Sequence, residues 1–202
     1  AYGVRNSFGI AVDPVTGALW DTENGPDAYD EINRVGSGFN SGWRNIMGPA
    51  NRDIEGLTDL VNLTGSTYGD PKFSFLSTIG ITSLQFLAGS SWGSAYNDGV
   101  IVGDNNTGRL YLLRLNAARD GFVLAGGLGD LVADNGTEQN SLVFGSSFNV
   151  VTGMQTGPDG ALYLSSLGSG AIYRIAPIPE PQTWGMLGVG LVLLASLVRR
   201  RR

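Results

Sequence analysis

GIAVDPVTGALW, residues 9–20, decides the fold. An alternating apolar run, a turn carrying Pro14 and Gly17, and a second run ending in an aromatic residue read as a β-hairpin. The pattern returns as GMQTGPDGALY at 153–163. Between them lies GITSLQF at 80–86, then GVIVGDNNTGRLYLLRL at 99–115, which reads as strand, Asn-Asn-Thr-Gly turn and strand. The leading glycines, Gly9, Gly80 and Gly153, are 71 and 73 residues apart. A repeat of this size built from short antiparallel strands fits propeller blades, each of about four strands with long loops. Val100 to Val102 and Leu110 to Leu115 are apolar on both faces, as strands between neighbouring blades must be. Helical periodicity is weak outside the C-terminal tail. The expectation is an all-β chain, a β-propeller with about three blades here. A β-sandwich is the competing architecture, and the long repeat favours the propeller. About three blades do not close a ring, and the opening AYGVRN has no initiator Met, basic region or apolar core of a signal peptide. The sequence therefore reads as a fragment whose N-terminal part is missing.

Composition narrows the function classes. Of 202 residues, 31 are Gly and 8 are Pro, which describes a folded, loop-rich protein. The net charge of −5 and the confinement of dense basic charge to Arg199–Arg202 argue against nucleic acid as a partner. With no cysteine and no histidine, thiolate sites, disulfides, imidazole-ligated zinc and histidine triads are excluded within these residues.

The tail changes texture after Ile175. Pro177, Pro179 and Pro181 stiffen a linker over 177–183, and 184–202 holds an apolar segment followed by four arginines. The uncharged run from Gln182 to Val198 spans about 25 Å as a helix, the short end for a bilayer core of about 30 Å. Interfacial Trp184 and snorkelling arginines extend it. A transmembrane helix with its polyarginine end in the cytoplasm is the expectation, which places residues 1–178 on the far side. Pro179-Glu180-Pro181, the short apolar segment and the terminal arginines resemble the PEP-CTERM sorting signal. That resemblance implies export in a Gram-negative bacterium and processing by an exosortase, leaving the protein at the cell surface or in the extracellular matrix.

The stretch TENGPDAYDEINRVGSGFNSGW, residues 22–43, carries the chemistry. Its acidic and amide residues with a Gly-Pro turn offer the carboxylate and carbonyl oxygens that calcium takes at about 2.3–2.6 Å. Solvated turn residues would look the same. Trp20 and Trp43, which flank it, read more readily as core anchors than as sugar-stacking platforms. An ion pair from Arg5 to Asp30 or Glu31 is the plain structural alternative to a binding role for Arg5.

Residues 3–43 together with the 99–115 hairpin and TGPDGALYLSSLGSGAIYRI resemble the soluble pyrroloquinoline quinone (PQQ) dependent glucose/sorbosone dehydrogenases, so 1–176 reads as part of such a domain. The resemblance implies a six-bladed propeller that oxidises aldose sugars at C1. It implies cofactor contacts at Arg5 and Asn6, quinone-clamping calcium on the carbonyls of Gly25 and Pro26, and a second calcium involving Glu31 and the Ser41 carbonyl. Asp30, beside Glu31, joins the candidate metal residues, and Asp53 is a weaker addition. The family's catalytic histidine belongs upstream of the matched region.

Departures from the family pattern point to a second function class. Val4 and Phe8 stand where a histidine and a glutamine are expected, Asn105-Asn106-Thr107 where a lysine is, and Val150 and Thr152 where two arginines are. A propeller that binds carbohydrate, including extracellular polysaccharide, or protein without catalysis is therefore the alternative to a PQQ- and calcium-dependent dehydrogenase. A lactonase-type propeller, needing a calcium centre and an axial base, is a third reading.

Overall fold

The computed structural model describes residues 1–178. Chain order gives β1 (Ser7–Val12), β2 (Leu19–Glu23), β3 (Asp30–Val35), β4 (Phe39–Asn40), a short helix α1 (Ile54–Thr58), β5 (Thr67–Tyr68), β6 (Phe73–Phe75) and β7 (Ile81–Phe86). There follow β8 (Gly99–Asp104), β9 (Leu110–Arg114), β10 (Val132–Ala133), a short helix α2 (Gly136–Ser141), β11 (Val143–Gly145), β12 (Val151–Thr156), β13 (Leu162–Ser166) and β14 (Ala171–Ile175). The sheets run β1-β2-β3-β6-β10, β7-β8-β9-β11 and β12-β13-β14. All their pairings are antiparallel except β6 with β10.

The repeat glycines mark the first strand of each sheet: Gly9 and Gly153 lie within β1 and β12, and Gly80 immediately precedes β7. These strands lie side by side with β7 in the middle, as the inner strands of consecutive blades do. The blades are less uniform than four strands each. The first sheet gains β10 from the far end of the middle segment, and the last holds three strands among the described residues.

Strand alternation explains the two-sided apolar runs. Val100 and Val102 of β8 enter a core shared with the first sheet, built on Trp20, Ile32, Phe73, Phe75, Phe86 and Tyr111. Ile101 points the other way, into a second core with Val151, Met154, Leu162 and Leu164 of the last sheet. Trp20 is fully buried, with ring centroids 5.5 Å from Phe122 and 6.2 Å from Phe86. The outermost faces are not covered: Phe8, Ile10 and Val12 project from β1, and Ile172 from β14.

Gly9 is required by close approach. A Cβ there would lie 2.5 Å from the Thr82 carbonyl and 2.7 Å from Thr22 Oγ1. The same Thr22 hydroxyl accepts the Gly9 amide and donates to the Thr82 carbonyl, so one side chain stitches β1, β2 and β7 together. The Asp104 tip is a closed polar turn. Its carboxylate accepts from the amides of Thr107 and Gly108, the Thr107 hydroxyl and the Tyr111 phenol. Burial, with the Asp104 charge beside it, pushes the Tyr111 phenol up to about 12.

Among the described residues no helix is long and apolar enough to cross a membrane. The expected transmembrane helix and Pro179-Glu180-Pro181 lie outside the described residues.

Candidate functional site

Strand parity divides the acidic residues of β2 and β3 into two sites. Asp21 pairs with Asn33 and Glu23 with Glu31 across the β2–β3 ladder, so all four share one face. Asp30, one residue from Glu31, points to the opposite face. The first set is a buried acidic patch; Asp30 belongs to a cleft.

The acidic patch lies under the segment that follows β4. Glu23 and Asn33 are fully buried, and Asp21, Glu31 and Ser41 nearly so. Glu31 accepts the Gly48 amide at 2.6 Å on Oε1 and Asn33 Nδ2 at 3.2 Å on Oε2. Glu23 accepts the Arg5 backbone amide on Oε1 and the Ser41 hydroxyl at 2.7 Å on Oε2. Like charges directly opposite on a ladder repel. Burial, together with the charge of Glu23, pushes the Glu31 carboxyl up to about 8. Burial likewise raises Glu23 and Asp21. Asp21 Oδ1 and Asn33 Oδ1 are buried without a partner. A hard cation answers all of these features, since oxygen donors from carboxylates, amides, hydroxyls and carbonyls are what calcium takes. Among the described residues no three acidic, histidine or cysteine side chains gather around one point. A cation held here would find two carboxylates, Glu23 and Glu31, beside the neutral oxygens of Asn33 and Ser41.

Asp30 organises the cleft instead of pointing into open solvent. Its carboxylate accepts the Gly25 amide at 3.0 Å and the Ile79 and Ile81 amides at 2.8 and 3.0 Å. Burial raises its pKa against the pull of these amides. With its oxygens committed to backbone donors, Asp30 braces the Gly-Pro turn against the start of β7. The cleft, about 380 Å³, is lined by Arg5, Asn6, Asn24, Gly25, Thr82 and Asn106 among others. Arg5 is the single cation on its wall among the described residues. Its Nη1 donates to the carbonyls of Asn24 at 2.8 Å and Gly25 at 3.2 Å, and its guanidinium lies 5.3 Å from the centre of the Trp43 ring.

The expected site residues thus fall into place unevenly. Arg5, Asn6 and Gly25 meet at the cleft, Pro26 is an exposed part of the same turn, and Glu31 and Ser41 meet in the acidic patch. Arg5 goes to carbonyls, not to Asp30 or Glu31. Asp53 caps α1 through the Gly56 amide at 3.2 Å. Trp20 is a core anchor, whereas Trp43 is half-buried at the cleft margin. Asn105 and Asn106 face the cleft, and Thr152 lines an uncharged groove along β1, β7 and β12. Glu23 and Asn33 escaped the sequence reading. Their signal was the pair of period-two motifs, Asp-x-Glu at 21–23 and Glu-x-Asn at 31–33.

Comparison with known proteins identifies the family and the fold. The family model described as Glucose / Sorbosone dehydrogenase matches residues 1–174, and the PEP-CTERM protein-sorting motif matches 177–202. An aldose sugar dehydrogenase of Escherichia coli (strain K12) is 24% identical over 178 residues, covering 88% of this chain and 43% of its own length. The chain thus spans less than half of that relative. A crystal structure of a glucose dehydrogenase superposes with a TM-score of 0.63 at 22% identity, covering 88% of this chain and 46% of that one. The PQQ-bound aldose sugar dehydrogenase of Streptomyces coelicolor gives 0.56 at 18% identity, covering 90% and 42%. The mostly β fold is that of the PQQ β-propeller dehydrogenases. The sorting motif implies recognition by an exosortase, with export and anchoring through the C-terminus.

Proposed function

Because the chain belongs to the glucose/sorbosone dehydrogenase family, we propose that it is part of an exported sugar dehydrogenase that oxidises aldose sugars at C1 with PQQ and calcium. The observation that carries this reading is the Arg5 cleft: a guanidinium, side-chain amides and backbone carbonyls converge at the inner strands. PQQ carries three carboxylates, whose burial needs compensating charge. One calcium and Arg5 together balance them. The Gly25 carbonyl, already turned toward a cation in Arg5, is the right donor type for calcium, and Pro26 adjoins it. The acidic patch fits a second calcium through Glu31 and Ser41.

When bound, the quinone supplies two-electron acceptance. The residues of this chain bind and orient. Arg5 and Asn6 donate to anionic oxygens, Asp30 holds the Gly-Pro turn rigid, and the Asn24 side chain fixes that turn to β7 through the Ile81 carbonyl at 2.8 Å. None of the 202 residues is a histidine, so the family's base for the C1 hydroxyl proton is not among them. For localisation, the proposal is an inner-membrane anchor with a cytoplasmic C-terminus, followed by processing to the surface or matrix.

The test is PQQ- and dye-dependent aldose oxidation by the full-length protein with calcium. Turnover lost on chelation supports the reading; none with any aldose at saturating quinone and calcium counts against it.

A specific observation favours a second reading, a non-catalytic propeller that binds carbohydrate. Asn105, Asn106 and Thr152 present neutral polar groups where the family resemblance implies cations, and such groups suit sugar hydroxyls. Glycan binding that persists in quinone-free protein, without dye reduction, supports this alternative.

A further inference from the structure

Asn33 Nδ2 stands 3.5 Å from Glu23 Oε2, 3.2 Å from Glu31 Oε2 and 3.4 Å from Ser41 Oγ. An amide nitrogen has two hydrogens and here faces three oxygens at long range, while its own Oδ1 has no partner in a fully buried position. Turning the amide over brings Oδ1 to the same point, an assignment that depends on what occupies the patch. The point is then ringed by oxygen donors alone, as calcium requires.

Glu23 also reaches the cleft. Its second oxygen accepts the backbone amide of Arg5, the residue whose guanidinium contacts the Asn24 and Gly25 carbonyls and overlies Trp43. One carboxylate therefore touches both the cation-type pocket and the backbone that aims the cleft's cation. We propose that Glu23 is a positioning residue: together with Glu31, Asn33 and Ser41 it holds a calcium, and through its bond to the Arg5 amide it makes the placement of Arg5 in the cleft depend on that calcium. This rests on the calcium part of the proposed function and is independent of quinone and sugar.

Without the cation the two carboxylates are bridged by the Asn33 amide, and Glu23 divides its oxygens between the Ser41 hydroxyl and the Arg5 backbone amide. With the cation in place both carboxylates are drawn inward. Glu23 Oε1 then becomes a fixed acceptor for the Arg5 amide, and the guanidinium takes one position over Trp43.

The experiment titrates calcium alone into the full chain, reading metal binding by competition with luminescent terbium and Arg5 placement by tryptophan emission. A Trp43→Phe variant identifies the Trp43 signal. The expected result is one saturable event at the acidic patch that also changes Trp43 emission. Glu23→Gln should bind calcium at least tenfold more weakly, with Trp43 emission insensitive to the metal. Arg5→Ala keeps the backbone amide, so it should bind calcium within about twofold of wild type but lose the emission change. Glu23→Gln removes a buried like charge, and Arg5→Ala leaves the patch intact, so one of the two reports even if the other folds poorly. If wild type takes calcium and Glu23→Gln binds it equally well, or if Trp43 emission ignores bound calcium, the coupling is overturned while the calcium reading stands. If wild type takes no calcium, both fall.

Discussion

Glu23 and Glu31 face each other as direct partners across the β2–β3 ladder, both buried, and among the described residues neither has a basic side chain as ion-pair partner. Such an arrangement is destabilising with both groups ionised unless a cation answers it, and a proton on Glu31 is the alternative relief. Saturating calcium should therefore raise the unfolding temperature of chelator-treated protein. At a hundredfold excess over the dissociation constant the gain is about 2.7 kcal/mol. Glu31→Gln should make the metal-free protein at least as stable as metal-free wild type and abolish the calcium gain. Thermal unfolding with and without calcium reads both; an unfolding temperature indifferent to calcium in wild type contradicts them.

Asp13 and Arg119 give the pH-dependent prediction. Arg119 Nε and Nη2 donate to the two Asp13 oxygens at 2.8 and 2.7 Å, tying the first hairpin turn to a distant loop. Burial alone would raise the Asp13 pKa. The Arg119 bonds, the Thr16 hydroxyl and the Val15 amide outweigh it and hold the carboxyl down at about 2. A folded pKa below the unfolded one stabilises above the unfolded value and is lost as pH falls toward the folded value. The pair should thus contribute on the order of 2 kcal/mol near neutrality, lost between about pH 4 and 2. Arg119→Ala should cost roughly 3 kcal/mol by leaving Asp13 buried and unpaired, and denaturant curves from pH 6 to 2.5 should show this acid-dependent loss reduced.

Gly9→Ala should destabilise by roughly 1–3 kcal/mol, because its methyl meets the Thr82 carbonyl and Thr22 hydroxyl where β1 approaches β7. Ala11→Gly, one turn of alternation away, should cost less. Equal losses in urea unfolding would contradict the close-approach account.

Trp20→Ala should cost about 3–5 kcal/mol, since the indole fills the core between the first two sheets. Trp20→Phe should recover much of that loss. Its indole Nε1 has no hydrogen-bond partner, so replacing the ring forfeits volume without stranding an acceptor.

Much of the fold was legible because it is local. The glycine-led hairpins at 9–20, 99–115 and 153–163 became strand pairs with their turns where the repeat put them, and the two-sided burial of Val100 to Val102 followed from alternation. The joining of β10 to β6 was not legible, since a two-residue strand paired across nearly sixty residues of chain leaves no periodic signal. At the site, the sequence singled out Glu31 but treated neighbouring Asp30 as its companion. Strand geometry sends adjacent side chains to opposite faces, so the true companion of Glu31 is Glu23, eight residues earlier. Arg5 was recognised as a cation for the cleft. Its tie to Glu23 runs through a backbone amide, which sequence patterns do not display.

The most direct test of the account is equilibrium binding of PQQ to the full-length protein in the presence of calcium. Stoichiometric binding at micromolar concentrations or below is expected, weakened at least tenfold by Arg5→Ala and reversed by chelation. No quinone bound at micromolar levels, with calcium shown to be present on the protein, would contradict it.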